Sequence, residues 1–119
     1  MAKKIVLKDG YEIEDGLITK SGEKNILIEI PGTDILQATI MFSNPEKTET
    51  MTFFTGVYKY VFTGYIHINS IGIDTELNQT NIYMDGDDVS IDISYTVPEI
   101  YLPEEMRTDG KEVATNDNE

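Results

Sequence analysis

Polar and apolar residues alternate along most of this chain, and its elements are read from that alternation. The clearest run is 89–97. Val89, Ile91, Ile93, Tyr95 and Val97 take the odd positions, and Ser90, Asp92, Ser94 and Thr96 take the even ones. Successive side chains on a strand point to opposite faces, so this run predicts a strand with one buried and one wet face. Just before it, Asn81-Ile82-Tyr83-Met84 reads as another strand, and Asp85-Gly86 as a turn. Together they predict a β-hairpin whose loop is lengthened by Asp87-Asp88.

The N-terminal part is built the same way. Ile5-Val6-Leu7, Tyr11-Glu12-Ile13-Glu14 and Leu17-Ile18-Thr19 are short strands, separated by Asp9-Gly10 and Asp15-Gly16. A Ser21-Gly22 turn leads to a strand from Asn25 to Ile30, which Pro31-Gly32 ends. From Ile35 to Phe42 the apolar positions include Leu36, Ala38, Ile40 and Phe42, an even-numbered alternation that favours a strand. A helical turn after Thr33-Asp34 is the other option. Ser43-Asn44-Pro45-Glu46-Lys47 reads as a loop, and Thr50 to Phe54 as a strand.

The stretch VYKYVFTGYIHINSIGID, residues 57–74, is the most apolar and aromatic. Its even positions, Tyr58, Tyr60, Phe62, Ile66 and Ile68, predict the buried face. Lys59, Val61, Thr63, Tyr65, His67 and Asn69 then fall on the wet one. After Ser70 the parity changes, because Ile71 and Ile73 are apolar. A strand cannot exchange faces without an extra residue or a bend, so Asn69-Ser70 predicts a bulge or tight bend. Gly64 marks a bend or a close backbone approach.

The whole pattern predicts an all-β domain: a small antiparallel β-sandwich or barrel of about seven to nine strands. Its core is expected to hold Leu7, Ile28, Ile40, Phe53, Tyr60, Phe62, Ile66, Ile68, Ile91 and Ile93. The chain divides into a β-domain over 1–97, an extended C-terminal arm over 98–106 and a disordered acidic tail over 107–119. The arm carries Pro98 and Pro103 around Ile100, Tyr101 and Leu102. Prolines exclude a central strand, and the apolar triplet is expected to bury against the parent domain or a neighbour. Ile100, Tyr101 and Leu102, with Tyr65 on the wet face, are the candidate protein contacts.

Charge narrows the partners. The 119 residues carry 22 acids and 9 bases, a net charge of −13. Residues 99–119 hold seven of the acids and two of the bases, so the domain is acidic in its own right. Such a field repels nucleic acid and anionic lipid, and favours cations or basic protein surfaces. The absence of cysteine excludes disulfides, thiolate metal sites and cysteine nucleophiles. The N-terminus, Met1-Ala2-Lys3-Lys4-Ile5, lacks the apolar stretch of a signal peptide, and no stretch is long enough to span a membrane as a helix. A soluble, non-exported chain with neither nucleic acid nor membrane as partner is expected.

Resources for catalysis are few. His67 is the only histidine. A typical zinc set needs more nitrogen or sulfur donors, and nucleophilic catalysis needs a positioned nucleophile beside the base. Asp85-Gly86-Asp87-Asp88 lacks the spacing of a calcium loop. The glycines follow aspartates in turns and do not open a helix as a phosphate loop would. No catalytic, cofactor or metal residue is therefore assigned, and no cofactor is expected.

The segment Asp9-Gly10-Tyr11-Glu12-Ile13-Glu14-Asp15-Gly16 resembles the start of small acidic proteins encoded in structural gene modules of tailed phages and prophages. Phe62-Thr63-Gly64-Tyr65, ahead of a β-rich second half and an acidic end, is similar in layout. The resemblance implies a non-enzymatic virion or assembly protein. The chain's own features add protein–protein contacts through its edge strands, the 98–106 arm and self-association as a homo-oligomer. It would be found in the host cytoplasm or in the virion. Two other readings stand beside it: an acidic nucleic-acid mimic that inhibits a host defence system, and a small ligand-binding β-barrel or enzyme.

Overall fold

The computed structural model describes residues 3–96. The arm and tail expectations, with Ile100, Tyr101 and Leu102, lie outside the described residues. Among the described residues, nine strands form two antiparallel sheets. They are β1 (Lys4–Val6), β2 (Glu12–Glu14), β3 (Leu17–Lys20), β4 (Asn25–Pro31), β5 (Thr50–Thr55), β6 (Tyr58–Thr63), β7 (His67–Asp74), β8 (Gln79–Asp85) and β9 (Ser90–Tyr95). The first sheet runs β2-β1-β5-β6-β9 and the second β3-β4-β8-β7. This is the expected all-β sandwich, and it does not close into a barrel.

Each of the first four strand pairs in chain order is a hairpin, and the chain changes sheet after every one. The sheet changes set the architecture. At the first, Asp15 takes a left-handed φ of 63° and Gly16 lies buried against Ile5. At the third, Gly64 has φ 91° and ends β6. At the fourth, the chain leaves β8 through Gly86 and enters β9. The expected β8–β9 hairpin is therefore absent. β8 pairs with β4 and β7, while β9 pairs with β6 in the other sheet. Alternation fixed the two strands but not the partner of each.

Helices make the second sheet change, where a strand was expected over 35–42. Helix α1 (Ile35–Phe42) starts at Asp34, whose carboxylate accepts the Gln37 N–H at 3.0 Å. That satisfies one of the unpaired N–H groups of the first turn. Ala38, Met41 and Phe42 sit at i, i+3 and i+4 and are buried. A short turn of helix α2 (Pro45–Thr48) follows, capped by the Asn44 side chain on Glu46 N–H at 3.0 Å, where a loop was expected. Pro45 suits the first helical position, since its missing N–H would have had no partner there.

The core lies between the sheets and under α1. Ile5, Leu7, Ile26, Ile28, Phe42, Met51, Phe53, Phe62, Ile82 and Met84 are all buried. Leu7, Ile28, Phe53 and Phe62 take the core positions expected of them. Tyr60, Ile68 and Ile91 are half-buried against the core, and Ile66 is half-buried. Two expectations are corrected. Ile40 is 60% exposed because it lies on the helix face opposite Ala38 and Phe42. Ile93 is 61% exposed for a different reason, given below. The register slips between Ile68 and Ser70, so the predicted irregularity at Asn69-Ser70 is a bulge within β7.

Among the described residues, three ion pairs tie parts of the fold together. Lys47 on α2 bonds Asp9 in the β1–β2 loop, and Lys8 meets Glu49 at 2.6 Å. The Lys47 ammonium, helped by the Tyr11 backbone N–H, holds the Asp9 carboxyl below its ordinary value. The contact therefore favours the fold above the usual carboxylate pKa and fades as pH falls through the lowered one.

Candidate functional site

The two sheets do not cover one another fully. On the first sheet, three cross-strand rows share the inward face. They are Met51, Phe62 and Ile91; then Phe53, Tyr60 and Ile93; then Thr55, Tyr58 and Tyr95. Burial falls along and across these rows. Phe53 and Phe62 are 4% and 3% exposed, Tyr60 and Tyr58 are half-buried, and Ile93 is mostly bare. Among the described residues the second sheet ends at edge strand β3, short of the far corner of the first sheet. Ile93 is thus on the face that alternation assigned to it, but nothing among the described residues covers that face.

The result is an open cleft of about 470 Å3, with the inner face of β5, β6 and β9 on one side and Leu17 to Lys20 on the other. Its aromatic lining is Phe53, Tyr60 and Phe62, and the rings of Tyr58 and Tyr95 continue the row beyond it. Tyr60 stacks on Phe53 at 5.9 Å between centroids and lies 6.4 Å from Phe62. Tyr58 stands 6.2 Å from Tyr60 and 5.4 Å from Tyr95. Such offset rings form a stiff apolar surface that orders at low entropic cost. Lys3 and Lys20 stand at the cleft, and the lining includes no acid. Neither lysine is paired with an acid among the described residues. In a chain of net charge −13, this is a local reversal of sign.

A second apolar surface lies on α1. Leu36 and Ile40, one helical turn apart, are 69% and 60% exposed, with Ile35 beside them at 38%. Among the described residues, each sheet also ends in strands paired on one side only: β2 and β9 in one, β3 and β7 in the other.

Tyr65 does not belong to either surface. It was expected on the wet face as a protein contact, but it is 1% exposed, edge-on to Phe62 at 6.1 Å. Burial pushes its hydroxyl pKa up. The left-handed turn at Gly64 breaks the strand just before it and resets the alternation, so Tyr65 turns inward.

His67 is exposed on edge strand β7, opposite Asp85 in register. Among the described residues no three histidine, cysteine or acidic side chains are grouped to hold a metal ion. None of the described helices is long and apolar enough to cross a membrane. Replacing His67 with Ala is expected to change unfolding free energy by less than about 0.5 kcal/mol and to leave self-association unchanged. Loss of association with the fold intact would bring His67 into the functional surface.

Sequence reasoning missed the cleft because its walls are distant in the chain. No local pattern pairs Leu17 to Lys20 with Tyr60 and Ile93. The lone signal was the aromatic density of 58–65. Comparison with known proteins adds no relative, since no family model, curated protein or solved structure matches the chain.

Proposed function

We propose that this chain is a non-enzymatic structural or assembly component of a phage-like particle, working through protein–protein contacts that include its own copies. The observation that carries the reading is the outer face of α1, where Leu36, Ile40 and Ile35 stand in water on a helix already anchored by its opposite face. Apolar side chains grouped this way mark contact surfaces more often than isolated exposed residues do. The edge strands give a second means of association, by main-chain pairing. The likeness of the Asp9–Gly16 segment to small acidic proteins of tailed-phage structural modules supplies the setting. The host cytoplasm during assembly, or the finished virion, is where such a component acts.

Charge opposes contact between copies, so association strengthens as salt screens the repulsion. Light scattering at low and moderate salt should show mass rising with salt and concentration. Replacing Leu36 and Ile40 together with Lys should return the protein to monomer without loss of β structure. A native chain that stays monomeric at every salt and concentration overturns self-association.

A further inference from the structure

We infer that the aromatic cleft is the docking site of the chain's own C-terminal arm, residues 98–106, which lies outside the described residues. The inference does not depend on the proposed function. Three observations converge on this occupant.

The first is place. β9 lines the cleft through Ile91 and Ile93, and the described chain ends one residue past it, at Thr96. Thr96 is fixed there, donating its N–H to the Val57 carbonyl at 2.8 Å and its hydroxyl to the Gly56 carbonyl at 3.1 Å. The described residues therefore end beside the cleft.

The second is reach. Ile93 lies three residues back along the strand, about 10 Å from Thr96. Five residues from Thr96 to Tyr101 span at most about 17 Å. With residues 97–99 spent on a reversal, which Pro98 favours, the remaining length is enough to bring Leu102 back to within a residue of the level of Ile93.

The third is chemical match. The arm is an apolar triplet with Glu99 on one side and Glu104-Glu105 on the other. The cleft is an apolar floor with Lys3 and Lys20 in its lining. The domain's net negative charge repels an acidic segment from most of its surface, so this basic corner selects it. A tether this short also gives the arm a local concentration on the order of millimolar, ahead of any second copy. Between copies, like charge works against the same contact.

The chain has neither tryptophan nor cysteine, which makes the test clean. Tyr101→Trp places a single indole in the arm. Its emission should be blue-shifted in the full chain, and the shift should persist on dilution in a monomer. Ile93→Asp and Lys20→Glu should each move it to the red. Both positions are exposed, so circular dichroism should stay native. Cysteines at 93 and 101 should close an intramolecular disulfide at monomer mass. The apolar dye anilinonaphthalene sulfonate should bind a chain ending at Val97 more strongly than the full chain. A solvent-exposed indole at all concentrations overturns the proposal. So do a blue shift lost on dilution, or disulfide-linked dimers, either of which would assign the cleft to a second copy's arm.

Discussion

Gly64→Ala should destabilise the protein by about 2–5 kcal/mol, read from urea or thermal unfolding, through two costs that can be separated. The first is conformational. Gly64 sits at φ 91°, where a residue with a Cβ loses about 1–2 kcal/mol. The second is steric. A Cβ there would overlap the Asp88 carbonyl oxygen, which is backbone and cannot rotate away. Crowding of this kind costs about 1–3 kcal/mol. Other glycines isolate each cost. Gly32 has nearly the same φ, 90°, with nothing within 4 Å of the place a Cβ would take, so Gly32→Ala should show only the first. Gly86 has no left-handed φ, but its Cβ would overlap the Gly64 carbonyl oxygen, so Gly86→Ala should show only the second. If Gly64→Ala costs no more than Gly32→Ala, the two backbones are not in contact.

That contact explains why both connections can exist. The β6–β7 and β8–β9 connections each carry the chain from one sheet to the other. They pack backbone to backbone: the Cβ position of Gly64 abuts the Asp88 carbonyl, and that of Gly86 abuts the Gly64 carbonyl. Side chains at these two positions would hold the connections apart.

Much of this fold was legible because strand alternation is local. The β4 and β5 faces, the bulge at Asn69-Ser70 and the all-β class follow from which residues lie two apart. What alternation does not carry is the partner of a strand. Met84 and Val89 flank a turn sequence that would suit a hairpin, yet the glycine at 86 serves a crossing instead. The α1 segment misled for a related reason. Ala38 and Phe42 are four apart, which satisfies both a two-residue and a helical period. Buried Met41 decides for helix, and the Asp34 cap with its bond to Gln37 is the sequence signal that could have found it.

The site was less legible than the fold. Counting through Gly64 as if β6 continued placed Tyr65 in water, whereas a left-handed glycine restarts the count. Ile93 was assigned the right face, but whether that face is covered depends on where the other sheet stops. β3 is only four residues long and stands at the edge. The cleft therefore arises from a mismatch in the extent of the two sheets, a property of no single segment.

Phe62→Ala should cost about 3–5 kcal/mol, the range for emptying a buried aromatic site. Phe62 is 3% exposed, and its ring joins two regions. On one side Tyr65 meets it edge-on at 6.1 Å inside the core. On the other, Tyr60 lies over it at 6.4 Å on the cleft floor. Its row partners Met51 and Ile91 sit on either side in the sheet, so neither can move to fill the gap without breaking register. The upper part of the range is therefore expected. Ile40→Ala removes a side chain of similar apolar character from a site 60% exposed, and should change stability by less than about 0.5 kcal/mol. A Phe62→Ala loss below about 1 kcal/mol would mean that the inner and outer faces of β6 are inverted. The aromatic floor of the cleft would then lie on the outside of the molecule, and the arm would have no site between the sheets.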